Sequence, residues 1–301
     1  MFISALLSYL YKDGITADLF LSGVAVSIVG LLMLFLNKSH DKQINKREGY
    51  LVVVLGWVAM ILSGTIPYIL TGTIDGFSNI FFETTSGYTA TGATIINDVE
   101  VLPEGILFWR SITHWLGGMG MIVFAIAILP LLGIGGMQLF NAESPGPSTD
   151  KLHPRITDTA KRLWLIYVSY TIIETFFLKI AGMSFFDAIN HSMSNIASGG
   201  FSTKNASLGH WNSNPMIQSI VIIFMFLAGT NFVLSYFGFK FNFKKIFKDE
   251  EFRVYSLFII GFTVSVATIL YFNTDFLMSY DSYFNRAVSY THLTLPTKRI
   301  V

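Results

Sequence analysis

The sequence contains no cysteine and few charged residues. Among its 301 residues, 13% are Asp, Glu, Lys or Arg, about half the share found in soluble domains. The missing cysteines exclude disulfides and thiolate metal sites, and the net charge of +1 argues against a nucleic-acid-binding protein. Because 52% of the residues are hydrophobic, too few charges are left to build a polar coat. This composition is typical of an integral membrane protein.

Motifs for hydrolytic chemistry are also missing. The six histidines are scattered without a His-Glu-x-x-His pair, and no glycine-rich phosphate loop ends in Lys-Ser or Lys-Thr. The polar residues His114, Glu174 and Asp187 lie in separate segments and share no motif. We therefore predict that the chain is not an enzyme and has no cofactor of its own. A membrane-embedded enzyme is the less favoured alternative.

Six apolar segments are long enough to cross roughly 30 Å of hydrocarbon, which takes roughly 20 helical residues. They are residues 19–36, 50–70, 106–130, 161–181, 216–237 and 253–272. Lys and Arg concentrate in loops 37–49, 131–162 and 238–253, whereas the intervening segments 71–105 and 182–214 carry none and one (Lys204). This asymmetry predicts that the three basic loops face the cytoplasm.

Each of the two outer segments contains a short apolar stretch followed by small and polar residues. The stretches, at 76–84 and 185–193, are too short to span. They fit half-helices that dip into the membrane and return, since irregular backbone at that depth must be buried in protein or line a wet cavity. A surface helix at the interface is the alternative.

These segments form an internal repeat. At an offset of 108 residues the following pairs coincide: Thr84 with Ser192, Ser86 with Ser194, Gly92 with Gly200, and Thr94 with Ser202. A fixed period of this kind indicates repeated structural units. We predict an all-α polytopic membrane protein of repeated span–pore half-helix–filter loop–span units.

The composition of the repeated loops favours ion conduction. A potassium ion gives up its water only where backbone carbonyls replace it, and glycine permits the dihedral angles that such a loop requires. The half-helices would aim their partly negative C-terminal ends at the pore, which favours a cation. Ordinary Gly/Ser/Thr turns are the alternative for one copy. The predicted potassium-binding filter comprises Thr89, Ala90, Thr91, Gly92, Ala93, Ala197, Ser198, Gly199, Gly200 and Phe201, with the ion held by backbone carbonyls of Thr91, Gly92, Gly199 and Gly200.

Several segments carry a family resemblance across roughly residues 1–285. Residues 82–94, 108–111, 115–120 and 197–203 resemble the pore loops and following helix of the Trk/Ktr/HKT potassium transporter superfamily, TrkH-type membrane subunit; residues 47–49 and 152–156 resemble its cytoplasmic loops. The resemblance implies potassium uptake through a selective gated pore in the bacterial inner membrane, with four units in one chain. It also implies contact with membrane lipid, a homodimer, a cytosolic nucleotide-binding regulatory subunit and no nucleic acid. Relatives with serine at the position of Gly92 favour sodium, so Gly92 implies potassium preference.

The predicted organisation follows the repeat. Residues 1–49 are N-terminal helices and a basic cytoplasmic loop, 50–130 the first pore unit, 131–160 a cytoplasmic linker, 161–237 the second pore unit, 238–288 the start of a third, and 289–301 an atypical tail. If Ser289 corresponds to Ser86, a glycine is due near residue 295, but none is present. We interpret the chain as a fragment with a foreign end, and a non-conducting membrane fragment is the alternative function.

Charged residues near the loops have two readings each. Arg110 and His114, one turn apart, are expected to anchor the pore helix or meet the interface rather than bind the ion. Glu174 either makes a buried polar contact or attracts ions. An acidic outer approach is the expectation for Glu83, Asp98, Glu100 and Glu104, with a plain solvated loop as the alternative.

Overall fold

A computed structural model describes residues 1–36, 46–128 and 156–273. Within these ranges all regular structure is helical, as predicted. The helices are α1 (Phe2–Tyr11), α2 (Thr16–Leu36), α3 (Lys46–Thr71), α4 (Phe77–Tyr88), α5 (Glu104–Ile128), α6 (Ile156–Ile180), α7 (Phe185–Ile196), α8 (Pro215–Ala228), α9 (Phe232–Phe239), α10 (Phe243–Lys248) and α11 (Glu250–Asn273), with a 3₁₀ turn at Ser207–Trp211. Most of the predicted linker 131–160, the third filter region and the tail 289–301 lie outside the described residues.

Four helices are long and apolar enough to cross a membrane. They are the segments Thr16–Leu36, Leu51–Thr71, Lys161–Ile180 and Glu250–Ile269. Each coincides with one of the six predicted spans. A fifth predicted span, residues 106–130, is helical through Ile128 as the 25-residue α5. The chain is therefore a multi-pass helical membrane protein.

The predicted span at 216–237 is not a single helix. Helix α8 ends at Ala228, and α9 starts only at Phe232. Between them lies the small polar run Gly229-Thr230-Asn231, where the Thr230 hydroxyl donates to the Leu227 carbonyl oxygen at 2.6 Å. The hydropathy of the flanking residues hid this break, because a sequence window averages three polar residues with many apolar ones.

The two predicted half-helices are present as α4 and α7. Each has 12 residues, about 18 Å of helix and little more than half of a bilayer core. The Ser184 hydroxyl caps α7 by accepting the Asp187 amide at 3.0 Å. The two helices run four and three residues further toward the loops than the apolar stretches suggested, and end at Tyr88 and Ile196.

Helix α5 lies between the two halves of the chain. It packs against α4 on one side and against α6 and α7 on the other. One buried cluster surrounds Ile106 and Trp109 in the first half, and a second surrounds Tyr167 and Ile217 in the second half. This central helix therefore reaches both loops that follow the half-helices.

Candidate functional site

The loops after α4 and α7 follow the same unusual backbone path. Gly92 and Gly200 have φ values of 76° and 97°, in the left-handed region that glycine tolerates. Two residues earlier, Ala90 and Ser198 also lie there, with φ of 51° and 56°. The strain of a non-glycine residue at positive φ thus recurs at equivalent positions. The repeat seen in sequence is a repeat in conformation.

Equivalent hydrogen bonds close both turns. The Thr91 amide donates to the Ser86 carbonyl oxygen at 3.0 Å, and the Gly199 amide donates to the Ser194 carbonyl oxygen at 2.8 Å. These bonds connect the last turn of each half-helix with the loop that follows it. Each loop is therefore positioned by the C-terminal end of its own half-helix.

The two loops are in direct contact. A Cβ atom built on Gly92 would collide with the Gly199 carbonyl oxygen. The same construction on Gly200 meets no atom within 4 Å. Glycine is therefore required at position 92 by both the backbone angle and the neighbouring loop, whereas position 200 requires it for the angle alone.

The predicted filter residues fall into two environments. Thr89, Thr91 and Ser198 are exposed, while Gly92 is buried against the second loop. Phe201 is 2% exposed, and its ring stacks on His114 with centroids 3.9 Å apart. The structure brings the two runs 89–93 and 197–201 side by side, with the Phe201 side chain turned into the protein.

Glu83 is not part of an exposed acidic approach, so that expectation is wrong. Its side chain is completely buried. The carboxylate accepts from the Thr94 hydroxyl at 2.9 Å, the Ile95 amide at 3.1 Å and Arg110 Nε at 3.0 Å. A buried carboxylate needs such partners, because desolvation without them is costly. Glu83 fixes the segment that leaves the first loop.

Arg110 connects the two loops. Its guanidinium pairs with Glu83 at 2.9 Å and donates to the Ser202 carbonyl oxygen at 3.3 Å. The same group lies 4.2 Å from the centre of the Phe201 ring. The expectation that Arg110 anchors a pore helix is confirmed, and the contacts with Ser202 and Phe201 extend that role to the second loop.

His114 holds the second loop from α5. Its Nδ1 lies 3.0 Å from the Ser194 hydroxyl oxygen, which also accepts the Gly200 amide at 3.0 Å. The anchoring expectation for His114 is therefore confirmed. The Ser86 hydroxyl, one repeat earlier, is buried without a hydrogen-bond partner among the described residues.

The two copies also share a hydrogen bond between the half-helix and the segment that follows the loop. At the offset of 108, Glu83 corresponds to His191 and Thr94 to Ser202. His191 Nε2 lies 2.9 Å from the Ser202 hydroxyl, as the Glu83 carboxylate contacts the Thr94 hydroxyl. In both copies a half-helix side chain holds the residue two positions after the loop glycine. Sequence reasoning missed this pairing because Glu and His share no obvious chemistry.

Glu174 makes a buried polar contact. Its Oε1 accepts from Asn195 Nδ2 at 2.6 Å, and Asn195 also donates to the Val221 carbonyl oxygen at 3.1 Å. Among the described residues, no hydrogen-bond partner contacts Glu174 Oε2. The structure therefore shows the buried polar contact, one of the two alternatives expected for Glu174. Together with the Asn195–Val221 bond, it connects α6, α7 and α8 behind the second loop.

The outer acidic residues also connect the two halves. Asp98 Oδ1 accepts from Asn205 Nδ2 at 2.6 Å, and Glu100 Oε1 accepts the Asn205 amide at 3.0 Å. In return the Val99 amide donates to Asn205 Oδ1 at 2.8 Å. Hydrogen bonds from Asn205 therefore occupy one carboxylate oxygen of Asp98 and one of Glu100.

The chemistry open to this site is that of the backbone. The loops themselves contain no titratable side chain, and the described part of the chain has no cluster of three or more His, Cys, Asp or Glu suited to a metal ion. A small cavity of about 40 Å³ lies against the second loop, bordered by Ser194, Asn195 and Gly199. Carbonyl oxygens are the groups through which such loops can coordinate a weakly held cation.

Comparisons with known proteins agree with this architecture. The family model described as TrkH, cation transport protein, matches residues 16–283. The Trk system potassium uptake proteins TrkH of Escherichia coli and Vibrio parahaemolyticus are 39% and 42% identical over 295 and 260 residues, covering 96% and 85% of this chain. The E. coli protein TrkG is 36% identical over 254 residues, covering 83% of this chain and 52% of its own length.

A solved structure is similar as well. The crystal structure of the potassium transporter TrkH from V. parahaemolyticus superimposes with a TM-score of 0.83 and 36% identity, covering 97% of this chain and 59% of that one. The chain spans 61% and 53% of the length of the two TrkH relatives from E. coli and V. parahaemolyticus. With a family match over most of its residues and a shared fold, the chain belongs to the TrkH family of cation transport proteins.

Proposed function

We propose that this chain supplies two of the filter loops of a potassium-selective pore in a bacterial inner membrane. The observation that carries the proposal is the pair of loops at 89–93 and 197–201, which share a backbone conformation and touch each other. The family membership supports the choice of a cation, and the relatives named potassium uptake proteins support the choice of potassium.

Backbone carbonyls of Thr91, Gly92, Gly199 and Gly200 are the proposed ion ligands. Positive φ at Gly92 and Gly200 allows carbonyl directions that other residues adopt only with strain. Helices α4 and α7 end at the loops, so the partly negative C-terminal ends of both helices lie next to the proposed ion position. This arrangement favours a cation and disfavours an anion.

A ring of carbonyls must surround the ion, and potassium filters use four loops. The two loops described here form two sides of such a ring. In the proposed protein, further units of the same kind complete the ring. The relatives are long enough to contain them, since this chain spans 61% of E. coli TrkH and 59% of the chain in the V. parahaemolyticus structure. The proposed partners are a second copy of the whole protein and a cytosolic nucleotide-binding subunit that gates it.

Uptake through this pore needs no chemical reaction. An elementary charge gains ~2.3 kcal/mol per 100 mV of membrane potential, enough for roughly 50-fold accumulation. This driving force makes a catalytic role unnecessary, and we propose none.

The test is growth and rubidium uptake in a bacterium that lacks its potassium uptake systems. The chain would be expressed as it stands and, separately, joined in frame to the remaining C-terminal part of V. parahaemolyticus TrkH. We expect the joined protein to restore growth at low potassium and to take up rubidium. Failure of the joined protein, despite membrane insertion shown by protease protection, refutes the pore assignment.

Selectivity tests the filter itself. In the joined protein, Gly92→Ser should lower the ratio of potassium to sodium uptake. Gly209→Ser is the matched control, since Gly209 lies in the outer 3₁₀ turn with a negative or extended φ and only side-chain neighbours beyond 3.8 Å. An unchanged ratio in Gly92→Ser, with uptake preserved, contradicts a filter at this position.

A further inference from the structure

Residues 239–248, here called the basic aromatic turn, connect two helices on the basic side of the membrane. Helix α9 ends at Phe239, and the membrane-spanning α11 starts at Glu250. Because both helices run into the membrane, the segment that joins them lies at its surface. The lysines in this loop place that surface on the cytoplasmic side.

The short helix α10 within this turn is amphipathic. Phe243 and Phe247, four residues apart, lie on one side and are 52% and 65% exposed. Lys244 and Lys248, also four apart, lie about a quarter turn around the helix from these rings and are exposed. Aromatic rings beside lysines are typical of segments that rest in the headgroup region of a bilayer.

Phe241 has an unusual conformation for an exposed residue. It is 82% exposed and has a φ of 56°, in the left-handed region. Its amide donates to the Gly238 carbonyl oxygen at 2.9 Å, which ends α9 in the manner usually provided by glycine. A phenylalanine here strains the backbone and buries little surface within the protein. Folding stability therefore does not explain the residue, and a role outside the chain does.

The neighbouring carboxylates do not neutralise these lysines. Asp249 Oδ1 accepts the Phe252 amide at 2.9 Å, at the start of α11. Glu251 Oε2 accepts from Asn231 Nδ2 at 3.3 Å. In the part of the chain that the structure describes, the ion pair within 4 Å is Arg110–Glu83, far from this turn. Residues 240–253 carry five Lys or Arg and three Asp or Glu, so positive charge is in excess there.

We propose that the basic aromatic turn binds anionic phospholipid of the cytoplasmic leaflet. Lys244 and Lys248 contact the phosphate-bearing headgroups, while Phe241, Phe243 and Phe247 insert between them into the start of the acyl chains. The lysines complement anionic headgroups, and the exposed rings fit the start of the acyl chains. An anionic lipid matches both features, whereas a soluble protein would have to cover the lysines and the rings together.

The test is a thermal-unfolding titration of the full chain in dodecylmaltoside. Dioleoylphosphatidylglycerol and dioleoylphosphatidylcholine are added separately, and the lipid concentration for half of the rise in Tm is measured. A ligand that binds only the folded state raises Tm by an amount that grows with the ratio of its concentration to Kd. We expect phosphatidylglycerol to act at lower concentration, with a dependence on salt that phosphatidylcholine lacks.

Substitutions separate the two parts of the surface. Each of Lys244→Gln and Lys248→Gln should raise the half-effective phosphatidylglycerol concentration about fivefold, from the usual contribution of a lysine near an anionic surface. Lys179→Gln, at an exposed lysine near the other end of a span, is the matched control and should change nothing.

Phe241→Gly gives the sharpest result. Glycine relieves the positive φ, so Tm without lipid should stay the same or rise. The half-effective phosphatidylglycerol concentration should nevertheless rise about tenfold, because the inserted ring is lost. Phe258→Ala, at a 60% exposed ring in the middle of α11, controls for general loss of lipid contact.

Three outcomes overturn the proposal. One is an equal response to both lipids, and another is a phosphatidylglycerol response unaffected by the double variant of Lys244 and Lys248. The third is an equal response to glycerol phosphate without acyl chains, which indicates a free-anion site. A fall in lipid-free Tm for Phe241→Gly shows that the ring packs in the protein, and overturns its assignment to lipid.

Discussion

Removal of the Arg110 charge should destabilise the chain strongly. Arg110 and Glu83 have side chains 2% and 0% exposed, so neither charge can turn to water. In Arg110→Met the Glu83 carboxylate keeps the Thr94 hydroxyl and the Ile95 amide but loses its counter-charge. Breaking a buried pair from one side costs about 3–5 kcal/mol, and the loss of the Ser202 contact places this variant toward the upper end.

The reverse substitution should have a comparable effect. Glu83→Leu leaves the guanidinium with the Ser202 carbonyl oxygen and the Thr94 hydroxyl, and it also leaves the Ile95 amide without its acceptor. The cost is again about 3–5 kcal/mol. In the double variant no unpaired buried charge remains, so the penalties of orphaned polar groups, about 1–3 kcal/mol each, should dominate. The sum of the destabilisations in the two single variants should therefore exceed the destabilisation in the double variant by about 3 kcal/mol or more.

The assay is unfolding of the purified chain in dodecylmaltoside micelles by increasing mole fraction of sodium dodecyl sulfate, followed by tryptophan fluorescence. A double-mutant cycle isolates the coupling of the two residues. Lys179→Met, which removes an exposed charge from α6, is the control and should change stability by less than about 0.5 kcal/mol. Additive effects of the two buried substitutions, within about 0.5 kcal/mol, would refute the network as described.

Three further substitutions test the loops, each in the chain joined to the C-terminal part of its V. parahaemolyticus relative. Gly92→Ala, like Gly92→Ser, should lower rubidium uptake, because the added Cβ brings a strained φ and a collision with the Gly199 carbonyl oxygen that the loops must shift to relieve; normal uptake would contradict the contact between loops. Gly200→Ala meets open space and should cost only the backbone strain of about 1–2 kcal/mol, so reduced but measurable uptake and wild-type membrane levels are expected. Ser194→Ala removes the acceptor of the Gly200 amide and the partner of His114. It should lower the unfolding free energy by about 1–3 kcal/mol, measured in the same micelle assay. A change below about 0.5 kcal/mol would show that water replaces the hydroxyl.

Sequence predicted the elements whose signal is local. The apolar lengths located α2, α3, α6 and α11, and the offset of 108 identified Gly92 and Gly200 as equivalent before their φ values were known. Any chain with this fold must contain apolar lengths and a repeat of this kind. The fold class followed from them.

Tertiary partners had no such signal. Glu83 looked like one of several outer acidic residues, since nothing in a spacing of 27 residues indicates that Arg110 reaches it. Ala90 and Ser198 carry no mark of positive φ, because their conformation is imposed by the hydrogen bonds that close each turn. The break at residues 229–231 had a signal in the small polar run itself, but the apolar residues on either side of it indicate only a single span.

The contacts of α5 set an order for biogenesis in the membrane. The first hairpin gives Arg110 two acceptors, the Glu83 carboxylate and the Thr94 hydroxyl. The acceptor for its remaining amino group, the Ser202 carbonyl oxygen, becomes available only when the second hairpin has been synthesised and inserted. Insertion of the second hairpin therefore completes the hydrogen bonding of a buried charge that belongs to the first.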